Sequence, residues 1–538
     1  MLHYALFSLA ISTASATSGD SASMLAAVPP DAFVLVHCHD LAGLNERAAR
    51  NDWVRMLGSE DGDPLYASLA SGFLDATHTE LDELLAIARS VHGEGVLFAG
   101  LGSAGFVTTP PPDRAGLTQA MRNWLPGDDE GGRKTIVLSG ARVELAAWDG
   151  ATELGGWTGR NGHFAALVDH PRLLGLFSGN TADVVIEGLT TSLAGLDAGI
   201  EPALAAAYRE SGGGASGGIE LYIDYTPLAA SAEQALRSIV RDMVPNPASM
   251  LGLDRGIWLH ATADIFPGTR IDSRARLHLP ADSVVMQLAS TFRPLPHSLP
   301  ADLPSGVQAL WALRWDLAEF YSTARKALSE GGGEAGLQVI DQGLTAAEGL
   351  TGVDPIEDVI EQLEGTFAFY ALDGPREDNP YASAGRFGFL AHLVDGEAFF
   401  EAFDQLVSGV GEAFEHVELE GMDAYMFGSD PEVDGGVAFL PNAFVGAPAR
   451  ATLVRAMHAL SGADGTSLVD GSPMQAAIDE NAGATFLTVV DLSSYRDLVI
   501  GAHRSSEAVE STVNPFDSQL IGSVRPVPDG FEFKLVTQ

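Results

Sequence analysis

At 538 residues, with 46% hydrophobic and 19% charged side chains, the chain is too long for one ordinary core and too apolar to stay unfolded, so two domains are expected. Its 30 basic and 72 acidic residues leave a net charge of −42, which disfavours nucleic acid and anionic lipid surfaces as partners. Only Lys134, Lys326 and Lys534 are lysines.

The chain opens with a short apolar segment, Tyr4 to Ile11, followed by Ala14-Ser15-Ala16, a small-x-small form that a signal peptidase accepts. Residues 1–16 are therefore expected to be a signal peptide, although only His3 and the α-amino group stand in for a basic n-region. Export to the periplasm or the exterior follows. No later stretch reaches the ~18 apolar residues needed for a transmembrane helix. Cys38 is the single cysteine, which excludes an intrachain disulfide, and no lipobox cysteine follows the apolar segment.

A turn at Val28-Pro29-Pro30-Asp31 precedes a strand from Phe33 to Asp40. This strand carries His37-Cys38-His39-Asp40, and an H-x-H at the end of a first strand can ligate a metal, as in amidohydrolase-like barrels. Setting Asp40 against Asp316 places His37 and His39 where the later strand has Leu313 and Trp315, on a face expected to be core. Cys38 falls on the opposite face, so neither histidine can activate it. Strands are next expected at Gly95 to Leu101 and Gly105 to Pro110, with a helix from Asp113 to Leu125. Arg142 to Trp148 and Phe164 to Phe177 read as antiparallel strands, Ile219 to Asp224 as another, and Trp258 to Phe266 with Arg270 to Leu279 as a hairpin-like pair.

Between Leu279 and Gly306 five prolines, Pro280, Pro294, Pro296, Pro300 and Pro304, interrupt regular structure and mark the boundary. The expected organisation is a first lobe over 17–292, a Pro-rich linker over 293–306 and a second lobe over 307–538. The second lobe repeats the order of the first. Val307 to Asp316 is a strand, and Leu317, Phe320, Tyr321, Ala324 and Leu328 share one helical face behind it. Asp354-Pro355 opens another helix, with Ile356, Val359, Ile360 and Leu363 as its buried stripe. Strands follow at Gly365 to Leu372 and Gly388 to Asp395, then a helix from Glu397, strands over Val417 to Phe427 and Gly435 to Val445, and a closing pair at Leu520 to Val524 and Phe531 to Val536.

Four strand-like runs end in an aspartate: Asp40, Asp224, Asp316 and Asp491. The first and third lie 276 residues apart and the second and fourth 267. One α+β unit used twice in tandem explains this spacing, each lobe an antiparallel sheet covered by helices. The aspartates, with Asp354, sit where N-caps belong, and Glu319 and Glu357 three residues on complete capping-box patterns.

Other chemistry is thin. Asp430-Pro431-Glu432-Val433-Asp434-Gly435 resembles the start of a calcium loop, with Asp430, Glu432 and Asp434 as weak metal candidates, but position twelve is Pro441 instead of glutamate. No nucleophile elbow is present, Ser322-Thr323-Ala324-Arg325 lacks the lysine of an S-x-x-K site, and no phosphate-binding glycine loop implies a cofactor. Trp311 with Trp315, and Trp148 with Trp157, are read as core aromatics.

Ala27-Val28-Pro29-Pro30-Asp31-Ala32-Phe33, leading to Asp40-Leu41, and Gly352-Val353-Asp354-Pro355, followed by Gly365-Thr366-Phe367-Ala368, resemble the motifs of an exported bacterial family catalogued as a domain of unknown function. Its Leu-Pro-Ala-Asp strand start and Gly-Leu-Asp-Pro helix recur here in pattern. The first half lacks the second motif around Leu74-Asp75-Ala76-Thr77. The resemblance implies an envelope or secreted location and no catalytic residues. The expectation is a non-catalytic binding or structural protein with a peptide, lipid or polymer ligand; the rival is a metal-dependent hydrolase on His37, His39 and Asp40.

Overall fold

The computed structural model describes residues 23–57, 91, 93–100, 102–125, 133–148, 163–214, 217–229, 232–234, 236, 252, 254–330, 333–373, 386–408, 414–427, 434–462, 467–468, 472–495 and 518–538. The signal segment, Asp430, Glu432 and Trp157 lie outside them.

Antiparallel hairpins of period-two hydrophobic runs dominate the described residues. In chain order the strands are β1 (Ala32–Cys38), β2 (Gly95–Gly100), β3 (Ser103–Thr108), β4 (Arg133–Leu138), β5 (Ala141–Trp148), β6 (His163–His170), β7 (Leu173–Gly179), β8 (Ile219–Asp224), β9 (Trp258–Ile265) and β10 (Ile271–His278). They continue as β11 (Val307–Arg314), β12 (Leu363–Leu372), β13 (Phe387–Leu393), β14 (Phe414–Leu419), β15 (Met422–Phe427), β16 (Asp434–Leu440), β17 (Ala443–Ala449), β18 (Phe486–Asp491), β19 (Gln519–Val527) and β20 (Gly530–Thr537). All 20 belong to one sheet. The fold is α+β.

Pairing orders the first ten strands β4-β5-β6-β7-β3-β2-β1-β8-β9-β10. The last ten run β14-β15-β16-β17-β13-β12-β11-β18-β19-β20, the same order with ten added to each number. The two sets join where β10 pairs antiparallel with β20, Arg274 standing opposite Lys534. Details repeat as well. Each first strand is bulged near its start, at Ala32/Val34 and at Val307/Ala309.

Helices cover both faces. One face carries α3 (Ala182–Ala198) and α4 (Ala203–Glu210) over the first ten strands, burying Leu189, Leu193 and Tyr208 against Leu35, Phe98 and Phe177. Over the last ten, α8 (Arg450–Leu460) and α9 (Pro473–Glu480) bury Leu453, Met457 and Ile478 against Leu310, Tyr370 and Leu487. On the other face α1 (Leu41–Ala48) and α2 (Arg114–Trp124) bury Leu44, Leu117 and Met121 over Val36 and Leu167, while α7 (Gly396–Ser408) packs Phe399, Phe400 and Phe403 on Phe439 and Phe444. Thr181 and Ser472 cap α3 and α9 through Val184 N and Gln475 N.

Three expectations change here. The Pro-rich stretch packs into the second core: Leu299 and Leu303 are fully buried, and Leu295 N donates to Ala484 O. The helix α5 (Leu317–Glu330) and its neighbour α6 (Glu334–Thr351) form a hairpin whose stripe residues Phe320, Tyr321, Ala324 and Leu328 are only half-buried. Ile356, Val359, Ile360 and Leu363 are likewise half-buried, so the expected buried stripe is not closed over.

Candidate functional site

The five aspartates read as caps all accept local backbone N–H groups. Asp40 Oδ1 accepts from Gly43 N at 2.9 Å, Asp224 from Thr226 N at 2.9 Å and Asp316 from Glu319 N at 2.9 Å. Asp354 accepts from Ile356 N and Glu357 N, and Asp491 from Ser493 N and Ser493 Oγ. Asp40, Asp224, Asp316 and Asp491 complement orphan donors at strand-to-helix corners, and Asp354 does so between α6 and the short helix Pro355–Ile360.

His37 lies on β1 and His39 one residue beyond its end, with ring centroids 6.1 Å apart. Asp40 does not join them. Glu94, at the entry to the neighbouring β2, does: the ligand atoms of His37, His39 and Glu94 all lie within 4.8 Å of one another. Sequence reading missed Glu94, because 57 residues separate it from His37 and only the β1–β2 register brings them together.

From this group a buried polar chain crosses the sheet. Glu94 Oε1 lies 3.0 Å from His37 Nε2 and accepts from Ser23 Oγ at 2.7 Å, while Oε2 accepts from Met24 N at 2.9 Å. His37 Nδ1 lies 2.8 Å from the Tyr208 hydroxyl, which donates to Glu220 Oε2 at 2.7 Å. Gly214 N also donates to that oxygen, and His260 Nε2 stands 3.2 Å from it, with His260 Nδ1 facing Ser211 O. His37, Tyr208, Glu220 and His260 are all buried, whereas His39 is exposed.

Burial acts to raise the Glu94 carboxyl, but the His37 hydrogen bond, with those of Met24 N and Ser23, outweighs it and holds the group below the usual carboxylate range. Burial, reinforced by the Glu220 hydrogen bond, pushes the Tyr208 hydroxyl far above its ordinary value, so it stays a donor. A Tyr hydroxyl has one proton, and here it goes to Glu220; His37 Nδ1 must therefore carry the hydrogen in its bond to Tyr208.

The last ten strands hold apolar residues at the places matching His37, Glu220 and His260, and the buried Thr366 at the place matching Glu94. His37 stands opposite Val96 and Glu220; Ala312 stands opposite Ala368 and Leu487. Tyr222 stands opposite His260, and Val489 opposite Ile521. Ala312, Ile478, Leu487 and Ile521 all lie in one hydrophobic core. Matching Asp40 to Asp316 is therefore one residue out: His37 corresponds to Ala312, not Leu313, and Trp311 faces the other side of the sheet.

That other side carries a second feature. Phe389, Phe369 and Trp311 are direct cross-strand neighbours, and the Phe369 and Phe389 ring centroids are 4.7 Å apart. Phe369 is 55% exposed, Phe387 48% and Leu535 45%. In the first ten strands the corresponding row, Phe106, Leu97 and Val36, lines a small cleft together with Leu41 of α1; every residue of β1 is buried, while Leu97 and Phe106 are half-buried. The α5–α6 hairpin packs on the short helix Pro355–Ile360, itself packed on α7, so it stands on the same side as the aromatic row without burying it. Trp315 leaves the row, stacking on Phe292 and donating Nε1–H to Thr291 Oγ1 at 3.0 Å. Cys38 is buried on this side of β1, and burial pushes its thiol up to about 12. Of the calcium-loop candidates only Asp434 is described, at the start of β16.

No family profile matches the sequence, and no curated protein matches it. Two crystal forms of TP0453 are similar to part of the chain. Form III has 11% identity and a TM-score of 0.26, covering 51% of this chain and 86% of its own; form I has 12% and 0.26, covering 50% and 85%. Scores this low place no constraint on fold or function.

Proposed function

We propose that this chain is a non-catalytic binding protein of the bacterial cell envelope or its exterior that takes the acyl chain of an uncharged amphiphile on the aromatic row Phe389–Phe369–Trp311. The observation that carries the reading is the contrast between two matching rows, one with Val36 buried and Leu97 and Phe106 half-buried, the other with Phe369 more than half exposed beside a helical hairpin with a half-exposed apolar stripe. Exposed aromatic surface of this kind marks a binding site more often than a packing fault. A net charge of −42 argues against an anionic head group. Among the described residues no helix is long and apolar enough to cross a membrane. Export rests on the N-terminal apolar segment and the family resemblance.

The two sets of strands are read as duplicated lobes. The repeated order, the matched bulges and the antiparallel β10–β20 join support this, since a repeated unit meeting its copy edge to edge gives a self-complementary contact. In this reading one lobe kept a closed core while the other opened to ligand.

The test uses an uncharged naphthylamine probe whose emission rises in apolar sites. The full chain takes up the probe, a monoacylglycerol displaces it, and Phe369→Asp weakens uptake at least tenfold. No uptake, uptake unchanged by Phe369→Asp, or a dimer that seals the row overturns the proposal.

A further inference from the structure

The geometry points to a first-row divalent cation site, zinc being the best match, formed by His37 Nε2, the His39 imidazole and a Glu94 carboxylate oxygen. It lies in the first ten strands, away from the aromatic row, and is independent of the binding reading above.

His37 Nδ1 carries hydrogen because Tyr208 gives its own to Glu220. In a neutral imidazole that leaves Nε2 with a lone pair, aimed at Glu94 Oε1 only 3.0 Å away. Glu94 already accepts from Ser23 Oγ and Met24 N, and its Oε1 meets that lone pair in a buried place. A proton or a metal ion must bridge the two atoms. His39 decides in favour of the metal ion: a third donor, exposed to solvent, has its ligand atom within 4.8 Å of both others. A ring proton would need no such neighbour.

Two nitrogens and one carboxylate oxygen form a donor set typical of zinc sites with an open position. The solvent-facing side at His39 supplies that opening and an entry path. The remaining chain has the form of an outer shell: Tyr208 orients His37 through Nδ1 and is itself held by Glu220, while Ser23 and Met24 N fix the Glu94 carboxylate. The sheet does not require this chain. At the positions matching His37, Glu220 and His260 the last ten strands place Ala312, Leu487 and Ile521 in an apolar core, so those buried polar groups of the first ten persist without a packing reason.

The experiment titrates cobalt(II) into metal-stripped full-length protein in millimolar magnesium, which occupies the many oxygen-only surface sites of so acidic a chain. One equivalent of cobalt with the visible absorption of a nitrogen-ligated, four- or five-coordinate ion is expected, displaced by one equivalent of zinc. His39→Ala, at an exposed position, should abolish the absorption while leaving the melting temperature unchanged. Tyr208→Phe should weaken zinc binding about 10- to 100-fold as a positioning residue, and His416→Ala, at the exposed His416–Asp423 pair, should have no effect. Absence of the absorption from the native protein, or its survival in His39→Ala, overturns the proposal and leaves His37 as an imidazolium paired with Glu94.

Discussion

The Tyr370 ring occupies the space that a side chain on Gly388 would need: a Cβ built there would lie 2.3 Å from Cζ of the tyrosine on the neighbouring strand. Phe98 and Gly105 repeat the arrangement between β2 and β3, with 2.5 Å to the phenylalanine Cζ. Both rings are fully buried, so neither can give way cheaply. Gly388→Ala and Gly105→Ala should each destabilise the protein by about 1–3 kcal/mol, measured by urea unfolding. A loss in one and none in the other would show that the two positions are not equivalent.

Tyr208 is the hinge of the buried polar chain. Removing its hydroxyl leaves His37 Nδ1–H and a Glu220 oxygen short of a partner, at a cost of about 1–3 kcal/mol. Tyr208→Phe should therefore lower stability, whereas Ile478→Val, in the apolar core under α9, should cost about 0.5–1.5 kcal/mol. Metal-free protein gives the cleanest comparison. An unchanged Tyr208→Phe would mean that water replaces the hydroxyl.

Acid sensitivity has an identifiable contributor in Glu144. Arg122 grips it with Nε and Nη2 at 2.9 and 2.8 Å, and Arg142 adds a contact at 3.1 Å. The Arg122 hydrogen bonds, ahead of the burial that opposes them, hold the carboxyl below its ordinary value of 4.5. A depressed folded-state value means stability that is full above pH 4.5 and lost as pH falls through the lower folded value. Glu144→Gln should flatten that part of the stability–pH curve. An unchanged acid limb would contradict the assignment.

Much of the fold is written locally. Period-two runs broken by Gly, Asp and Asn give most of the strands, and an aspartate followed by an amphipathic run marks each corner because capping is a short-range interaction. Arg133–Leu138 escaped, and the first half of Phe414–Leu419 fell outside the expected run Val417 to Phe427, because these outermost strands have exposed edges with weak alternation. The single sheet was not legible, since β10 meets β20 across more than 250 residues and only register decides it. The same limit hid Glu94. Asp40 and Asp316 misled the alignment by one residue because β11 carries one more residue before its corner, and a one-residue slip exchanges the faces of a strand.

Cys38 offers a check on the closed row. Burial raises its thiol to about 12, and it lines a small cleft with Leu41. It should resist alkylation by iodoacetamide at pH 8 in the folded protein and react fully in denaturant. Rapid alkylation of the native chain would show that α1 does not seal this side of the first ten strands.

The most direct test of the central claim is quenching of Trp311 by a monoacylglycerol brominated along its acyl chain, since bromine quenches indole only near contact. The account predicts that the brominated lipid dims the native protein and that Trp311→Phe removes most of that quenching while leaving lipid affinity within a few-fold. Equal quenching in both proteins, or none in either, would contradict an acyl chain lying on the Phe389–Phe369–Trp311 row.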